Sequence, residues 1–216
     1  MKKSRRTLFI AVGLVAAFVT WTVLVKVIDV LPIGQTGAFV GFGTLNGFVH
    51  RHTGVHMSLY TITDYLGLVP IGFTLFFALL GAWQLIKRKS ILKVDRDILL
   101  LGGFYAIIVL IFVFFEVFVI NYRPVLIDGR LEASYPSSTT LLTMCVMPTS
   151  VIQLKKRIGN VTVKRMIAPL MWSFTVFMVI SRLLSGVHWV TDIIGGVLIS
   201  GGLVMLYLFF IQRTER

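Results

Sequence analysis

Long apolar runs separated by short polar and basic segments make up most of this chain. Six runs stand out, over 7–28, 66–86, 98–120, 138–154, 166–184 and 190–211, each near or above the ~20 residues that a helix needs to cross a bilayer. None shows the two-residue alternation of a strand. In lipid only helices and closed barrels satisfy their own backbone. The pattern therefore predicts an all-α fold, an integral membrane bundle of six transmembrane helices. The fourth run is the weakest, being short and carrying Thr139, Thr140, Thr143, Pro148, Thr149 and Ser150; hydroxyls are tolerated there when they face other helices.

Between the first two runs lies a glycine-rich segment, about 31–62. Its middle, Leu45 to His52, reads as a short amphipathic piece lying at the membrane interface. His50, His52 and His56 lack a nearby acidic partner, so headgroup or solvent contact is favoured over a metal site. Asp64 and Tyr65 mark the start of the second run, and Trp83 near its other end suits an interfacial aromatic.

Composition agrees with this picture and adds an orientation. The chain of 216 residues is 56% hydrophobic and only 14% charged, with a net charge of +12. That charge could suggest nucleic acid, but its distribution excludes this. Sixteen of the 21 lysines and arginines fall before the first run, between the second and third, between the fourth and fifth, or after the sixth. In a six-span layout all of these lie on one side, so the positive-inside rule places both termini in the cytoplasm. Membrane lipids with anionic headgroups are the natural partners of such charge. The N-terminus resembles a signal peptide, but its apolar run is too long and no small-residue cleavage site follows, so a retained anchor is expected. Cys145 is the sole cysteine, which excludes disulfides and cysteine-based metal sites. Residues 1–216 are read as one membrane-embedded domain.

The densest chemistry lies in Ser181 to Asp192, where Arg182, His188 and Asp192 fall within twelve residues at the junction of two apolar runs. Ionisable groups so close to hydrocarbon imply a shared polar cavity. On one helix His188 and Asp192, four apart, would share a face, so the carboxylate could fix the imidazole tautomer. Arg182 would reach the same cavity from a turn. An arginine fork, an imidazole and an orienting carboxylate are the parts needed to hold a phosphoryl group and attack it. In the six-span layout two further segments reach the same outer face. One is Arg123, at the edge of a third helix stopped by Pro124. The other is Pro136 to Thr139, which reads as a helix N-terminus where Ser137, Ser138 and free backbone N–H groups form an anion site.

Together these residues resemble the type-2 phosphatidic acid phosphatases, the integral-membrane lipid phosphate phosphatases. That family carries K-x6-R-P, then P-S-G-H, then S-R-x5-H-x3-D. The third motif is matched at Ser181, Arg182, His188 and Asp192. The first is matched at Arg123 and Pro124, with Glu116 at its lysine position. The second is matched at Pro136 and Ser137, with Ser138 for glycine and Thr139 for histidine. The resemblance implies a phospho-histidine mechanism. His188 would be the nucleophile and Asp192 its orienting group, with Arg123, Arg182, Ser181, Ser137 and Ser138 around the phosphate. It implies no metal and no cofactor, since arginines take the part of a metal ion.

The departures bear on chemistry. The family histidine at the position of Thr139 is the general acid, and a threonine hydroxyl is a poor substitute. Such a loss typically costs ~10²–10⁴ in rate, most with an alkoxide leaving group and least with a phosphate one. Glu116 would repel phosphate if ionised, and pairing with Arg123 or Arg130 is the favoured expectation for it. Arg130 itself reads as a solvated loop charge. The function expected is hydrolysis of a phosphorylated lipid on the extracytoplasmic face of the cell membrane, with a prenyl diphosphate or a phosphatidylglycerol phosphate as the type of substrate. The alternative is an impaired relative that binds lipid phosphate without efficient turnover, in transport or as a scaffold.

Overall fold

The computed structural model describes residues 2–214, with side chains from Ser4 onward, and eight helices account for most of them. They are α1 (Lys2–Val27), α2 (Gly43–Thr53), α3 (Met57–Leu66), α4 (Leu68–Arg88), α5 (Arg96–Val117), α6 (Ser138–Arg157), α7 (Val161–Leu184) and α8 (Val190–Thr214). No strand is present among the described residues; isolated bridges join Leu31 to Val40, Tyr122 to Ala133 and Ile127 to Arg130.

Five helical stretches are long and apolar enough to cross a membrane: Ser4–Val27, Met57–Arg88, Arg96–Val117, Val161–Leu184 and Val190–Thr214. The fourth expected run forms α6, 20 residues long, which falls outside that set because of its hydroxyl content. The reason lies in where α6 sits. It is the inner helix of the bundle and buries Thr143, Thr149, Ser150 and Gln153 against its neighbours, whereas Leu79, Ile86, Leu110 and Leu170 on the outer helices are about 70% exposed. Polar inside and apolar outside reverses the arrangement of a water-soluble bundle, where so large an apolar exterior would be a liability.

Helix α6 runs the full height of the bundle, ~30 Å at 1.5 Å per residue. At one end, Arg157 Nη2 donates to both Asp97 carboxylate oxygens at 3.2 Å, and Gln153 Nε2 donates to the Tyr207 hydroxyl at 2.5 Å. These contacts join α6 to the start of α5 and the far part of α8. At the other end the N–H of Ser137 donates to the Asp192 carbonyl at 3.1 Å, which joins the start of α6 to the start of α8. Close packing here needs a small residue on α8: a Cβ on Gly195 would lie 2.6 Å from the Tyr135 ring.

Two boundaries differ from the sequence expectation. Helix α5 ends at Val117, several residues short of Pro124, because the chain folds back on itself. Arg123 N–H donates to the Glu132 carbonyl at 3.1 Å and Ser134 N–H to the Asn121 carbonyl at 2.9 Å, so Arg123 sits in a narrow loop hairpin and not at a helix edge. The segment before the second run contains two helices. The amphipathic piece expected over 45–52 is α2, and α3 follows it before the break at Gly67.

Candidate active site

The site lies where three loops and two helix ends meet: the 121–137 hairpin, the α2–α3 pair and the 185–189 connection between α7 and α8. Asp192 is placed by its own helix. As the third residue of α8 its Oδ2 accepts the N–H of Trp189, just before the first turn, at 2.9 Å, the reach-back half of a capping box. A carboxylate in that turn also suits the positive end of the helix dipole.

His188 is not on α8 but in the connection that precedes it, so the expected side-by-side pairing along one helix is replaced by a relay. His188 Nδ1 and Asp192 Oδ2 are 3.9 Å apart, too far for a hydrogen bond. The Ser134 hydroxyl stands between them, donating to Asp192 Oδ2 at 2.5 Å and lying 3.0 Å from His188 Nδ1. A hydroxyl has one proton to give; once it is given to the carboxylate, Nδ1 must be the protonated nitrogen and Nε2 carries the lone pair. Asn121 Nδ2 contributes a long contact to Asp192 Oδ1 at 3.4 Å. His188, Ser134 and Asp192 are all buried. Burial, followed by the charges of Arg123 and Arg182, holds the imidazole well below its ordinary titration range, so at neutral pH it is a neutral base with a free Nε2. Among the described residues no group hydrogen-bonds that atom.

The two arginines converge on the same place. Arg182, in the last turn of α7, is only 1% exposed and Arg123 only 7%. Their guanidinium carbons lie 4.9 Å and 5.9 Å from the centre of the Tyr60 ring, so one α3 aromatic touches both. Arg182 Nη1 donates to the Thr63 hydroxyl at 3.3 Å, and Asp64 lies 4.0 Å from Nη2. Arg123 Nε lies 3.1 Å from Glu132 Oε2 without hydrogen-bond alignment. Nε and Nη1 of Arg123 and Nε of Arg182 are buried and make no hydrogen bond among the described residues. Two buried cations with unused donors, whose charges reach a neutral imidazole, are a set of groups suited to a tetrahedral anion.

The remaining expected residues divide. Ser181 is buried, and its carbonyl accepts the N–H of Ser185 at 2.8 Å. Ser137 is the residue before α6 and is fully buried; its hydroxyl accepts from Thr140 at 3.1 Å and its N–H is already given to the Asp192 carbonyl. That N–H therefore positions Asp192 and is not free for an anion. Ser138 and Thr139 occupy the first turn of α6, half-buried. Glu116 does not pair with Arg123 or Arg130: among the described residues it makes no ion pair, and Glu132 takes the place beside Arg123. The backbone fold-back that brings residues 123 and 132 together is the reason. Glu116 instead borders a small recess with Ser134, Pro136 and Ser138. Arg130 is exposed at the tip of the hairpin, as a solvated charge would be.

The histidines of the 31–62 segment also divide. His50 Nε2 lies 3.1 Å from the Gly186 carbonyl and its ring 5.4 Å from that of Trp189, so it braces the loop that carries His188. His52 and His56 contact carbonyls of their own segment. Among the described residues no three His, Cys, Asp or Glu side chains gather as a metal site would require. Ser134, Asn121, Tyr60 and Thr63 were not singled out by the sequence. Ser134 stood in a hydroxyl-rich stretch, but only the fold shows which hydroxyl meets the imidazole.

A family model described as the PAP2 superfamily matches residues 69–216. The chain belongs to the PAP2 superfamily. The crystal structure of the first transmembrane PAP2 type phosphatidylglycerolphosphate phosphatase from Bacillus subtilis superposes with a TM-score of 0.67, at 20% sequence identity, covering 95% of this chain and 98% of that one. At that identity the likeness speaks for the PAP2 fold. No curated protein matches the chain in sequence. With its apolar helices and a transmembrane fold relative, this PAP2 chain is a multi-pass membrane protein.

Proposed function

We propose that this PAP2 protein is a lipid phosphatase that works through a phospho-histidine at His188. The observation that carries the reading is the lone-pair nitrogen of a buried, neutral imidazole set beside two buried guanidinium groups with unused donors. Arg123 and Arg182 grip the phosphate oxygens and neutralise charge as it develops. Nε2 attacks phosphorus. The positive charge that forms on the ring is relayed through Ser134 to Asp192. Water then releases phosphate and restores the imidazole.

The membrane layout belongs to the same proposal. Helix α6 is the sixth span, kept from lipid by the other helices, which accounts for its polar composition. The basic residues beside Arg88, Arg96, Arg157 and Lys164 then face the cytoplasm with both termini, and the site opens on the extracytoplasmic face of the cell membrane. The whole chain acts as one membrane-embedded domain on a phosphorylated lipid.

Thr139 bears on the choice of substrate. Unless another side chain supplies a proton to the departing oxygen, a diphosphate lipid, whose leaving group is itself a phosphate, is favoured over a monoester. The same residue favours the second reading, a protein that binds lipid phosphate and turns it over poorly. Purified protein in detergent, offered a prenyl diphosphate, phosphatidylglycerol phosphate and phosphatidic acid, decides between the two. Release that vanishes in His188→Ala and rises in Thr139→His, most for monoesters, is expected. No release from any substrate, even by Thr139→His, would overturn the enzyme reading.

A further inference from the structure

The proposed reaction has a nucleophile, an orienting relay and two cations, but no group yet to protonate the departing lipid oxygen. Three side chains lie against the arginines from outside the motif stretches: Glu132 beside Arg123, Asp64 beside Arg182, and Tyr60 touching both. The two carboxylates lie beside the guanidinium groups as partners of opposite charge. A phenol keeps its proton through neutral pH, and a neighbouring pair of guanidinium groups stabilises the phenolate left behind when it gives that proton up.

Position favours the phenol as well. Tyr60 is half-buried, between the fully buried arginines and the exposed surface of α3. Its hydroxyl makes no hydrogen bond among the described residues, and its ring makes no ring contact with His188. Its ring lies against both guanidinium groups that would hold the phosphate. Helix α3 is fixed in that place: the N–H of His56 donates to the Ser185 carbonyl at 2.9 Å, and Thr63 is bonded to Arg182.

Resting on the phosphatase reading above, we propose that Tyr60 is the general acid of this protein, doing from α3 the work that Thr139 cannot do from α6. As the bond from phosphorus to His188 Nε2 forms and the bond to the lipid oxygen breaks, the Tyr60 O–H proton passes to that oxygen and leaves a phenolate. In the second half, the phenolate takes a proton from the attacking water. The water oxygen bonds to phosphorus, and the electron pair of the broken phosphorus–nitrogen bond returns to His188. Protons and charges balance over the cycle, and no other reactant is needed.

The test compares Tyr60→Phe with the unaltered protein on two monoesters. One is a short-chain phosphatidic acid, whose leaving group is an alkoxide; the other is 4-nitrophenyl phosphate, whose leaving group needs little protonation. Phenylalanine keeps the ring over both arginines and removes only the hydroxyl that would give the proton. The expected result is a loss of ~10²-fold or more in kcat on the lipid, with less than about a threefold loss on the aryl ester. Adding Thr139→His to Tyr60→Phe should restore much of the lipid activity. Equal losses on both esters would mark Tyr60 as a packing residue and overturn the proposal, as would no loss on either. Those outcomes leave the phosphatase reading standing, since the unaltered protein still turns over and His188→Ala still does not. If the unaltered protein releases phosphate from neither ester, the Tyr60 proposal falls, and release from a prenyl diphosphate or by Thr139→His keeps the phosphatase reading standing.

Discussion

The backbone of Gly186 lies directly on that of Gly54: a Cβ at position 186 would sit 1.9 Å from the Gly54 carbonyl oxygen. This contact locks the α2–α3 pair onto the loop that carries His188. Gly186 also has a φ of +69°, a conformation that costs an L side chain ~1–2 kcal/mol by itself. Gly186→Ala is therefore expected to separate the two loops. Turnover should fall by at least ~10-fold, and the melting temperature in detergent should drop by several degrees, because strain and clash add. Unchanged turnover together with an unchanged melting temperature would show that the contact is dispensable.

The Ser134 relay makes a sharper demand. Ser134→Ala leaves the His188 ring proton without its acceptor and removes a donor from a buried carboxylate. Each loss costs ~1–3 kcal/mol when the remaining group stays buried. A fall in kcat of ~10–10³-fold is expected, with KM little altered, since the Ser134 hydroxyl bonds His188 and Asp192 and not the arginines. Trapping radiolabelled phosphate on His188 should show slower phosphorylation. Phosphorylation at the normal rate would mean that Asp192 reaches the imidazole unaided.

Acid titration tests the burial of His188. Its titration is displaced downward in the folded protein, so the folded state binds fewer protons than the unfolded one once the pH falls below the ordinary histidine value of ~6.5. Stability is therefore fully present above that value and declines as the pH drops through it. A plot of melting temperature against pH should slope downward from about 6.5 toward 5, and the slope should flatten in His188→Gln. The proposed nucleophile should meanwhile stay neutral, so no loss of kcat attributable to His188 is expected between pH 7 and 6.

The opposite end of the bundle provides a control. Gln84, buried on α4, donates to Asp95 Oδ2 at 2.8 Å and accepts the Asp95 N–H at 2.9 Å, while Arg88 reaches the same carboxylate at 2.7 Å. Bonding to Arg88 holds the Asp95 carboxyl below its usual range. Asp95→Ala should lower the melting temperature by a few degrees because the buried Gln84 amide loses its acceptor, while kcat on every substrate stays within about twofold. A selective loss of activity would mean that the two ends are coupled through α6.

The order of apolar runs was enough to foretell the all-helical build and the ends of α4, α7 and α8 to within about five residues, and the motif spacing singled out Arg123, Arg182, His188 and Asp192 as candidates. Those features are local. A run of hydrocarbon side chains specifies a helix in lipid wherever it lies, and a fixed motif spacing is a property of the chain. What the sequence could not carry was which partners the long-range fold brings together. The hairpin that ends α5 at Val117 gives Arg123 to Glu132 and not to Glu116. The same fold-back delivers Ser134, 54 residues before His188 in sequence, into the gap between the imidazole and Asp192. The docking of α3 on the α7–α8 loop sets Tyr60 over both arginines, although nothing near Tyr60 in sequence resembles a motif. Short polar side chains acquire a role only through what faces them across a few ångströms, and the packing of α3, α6 and α8 determines those faces.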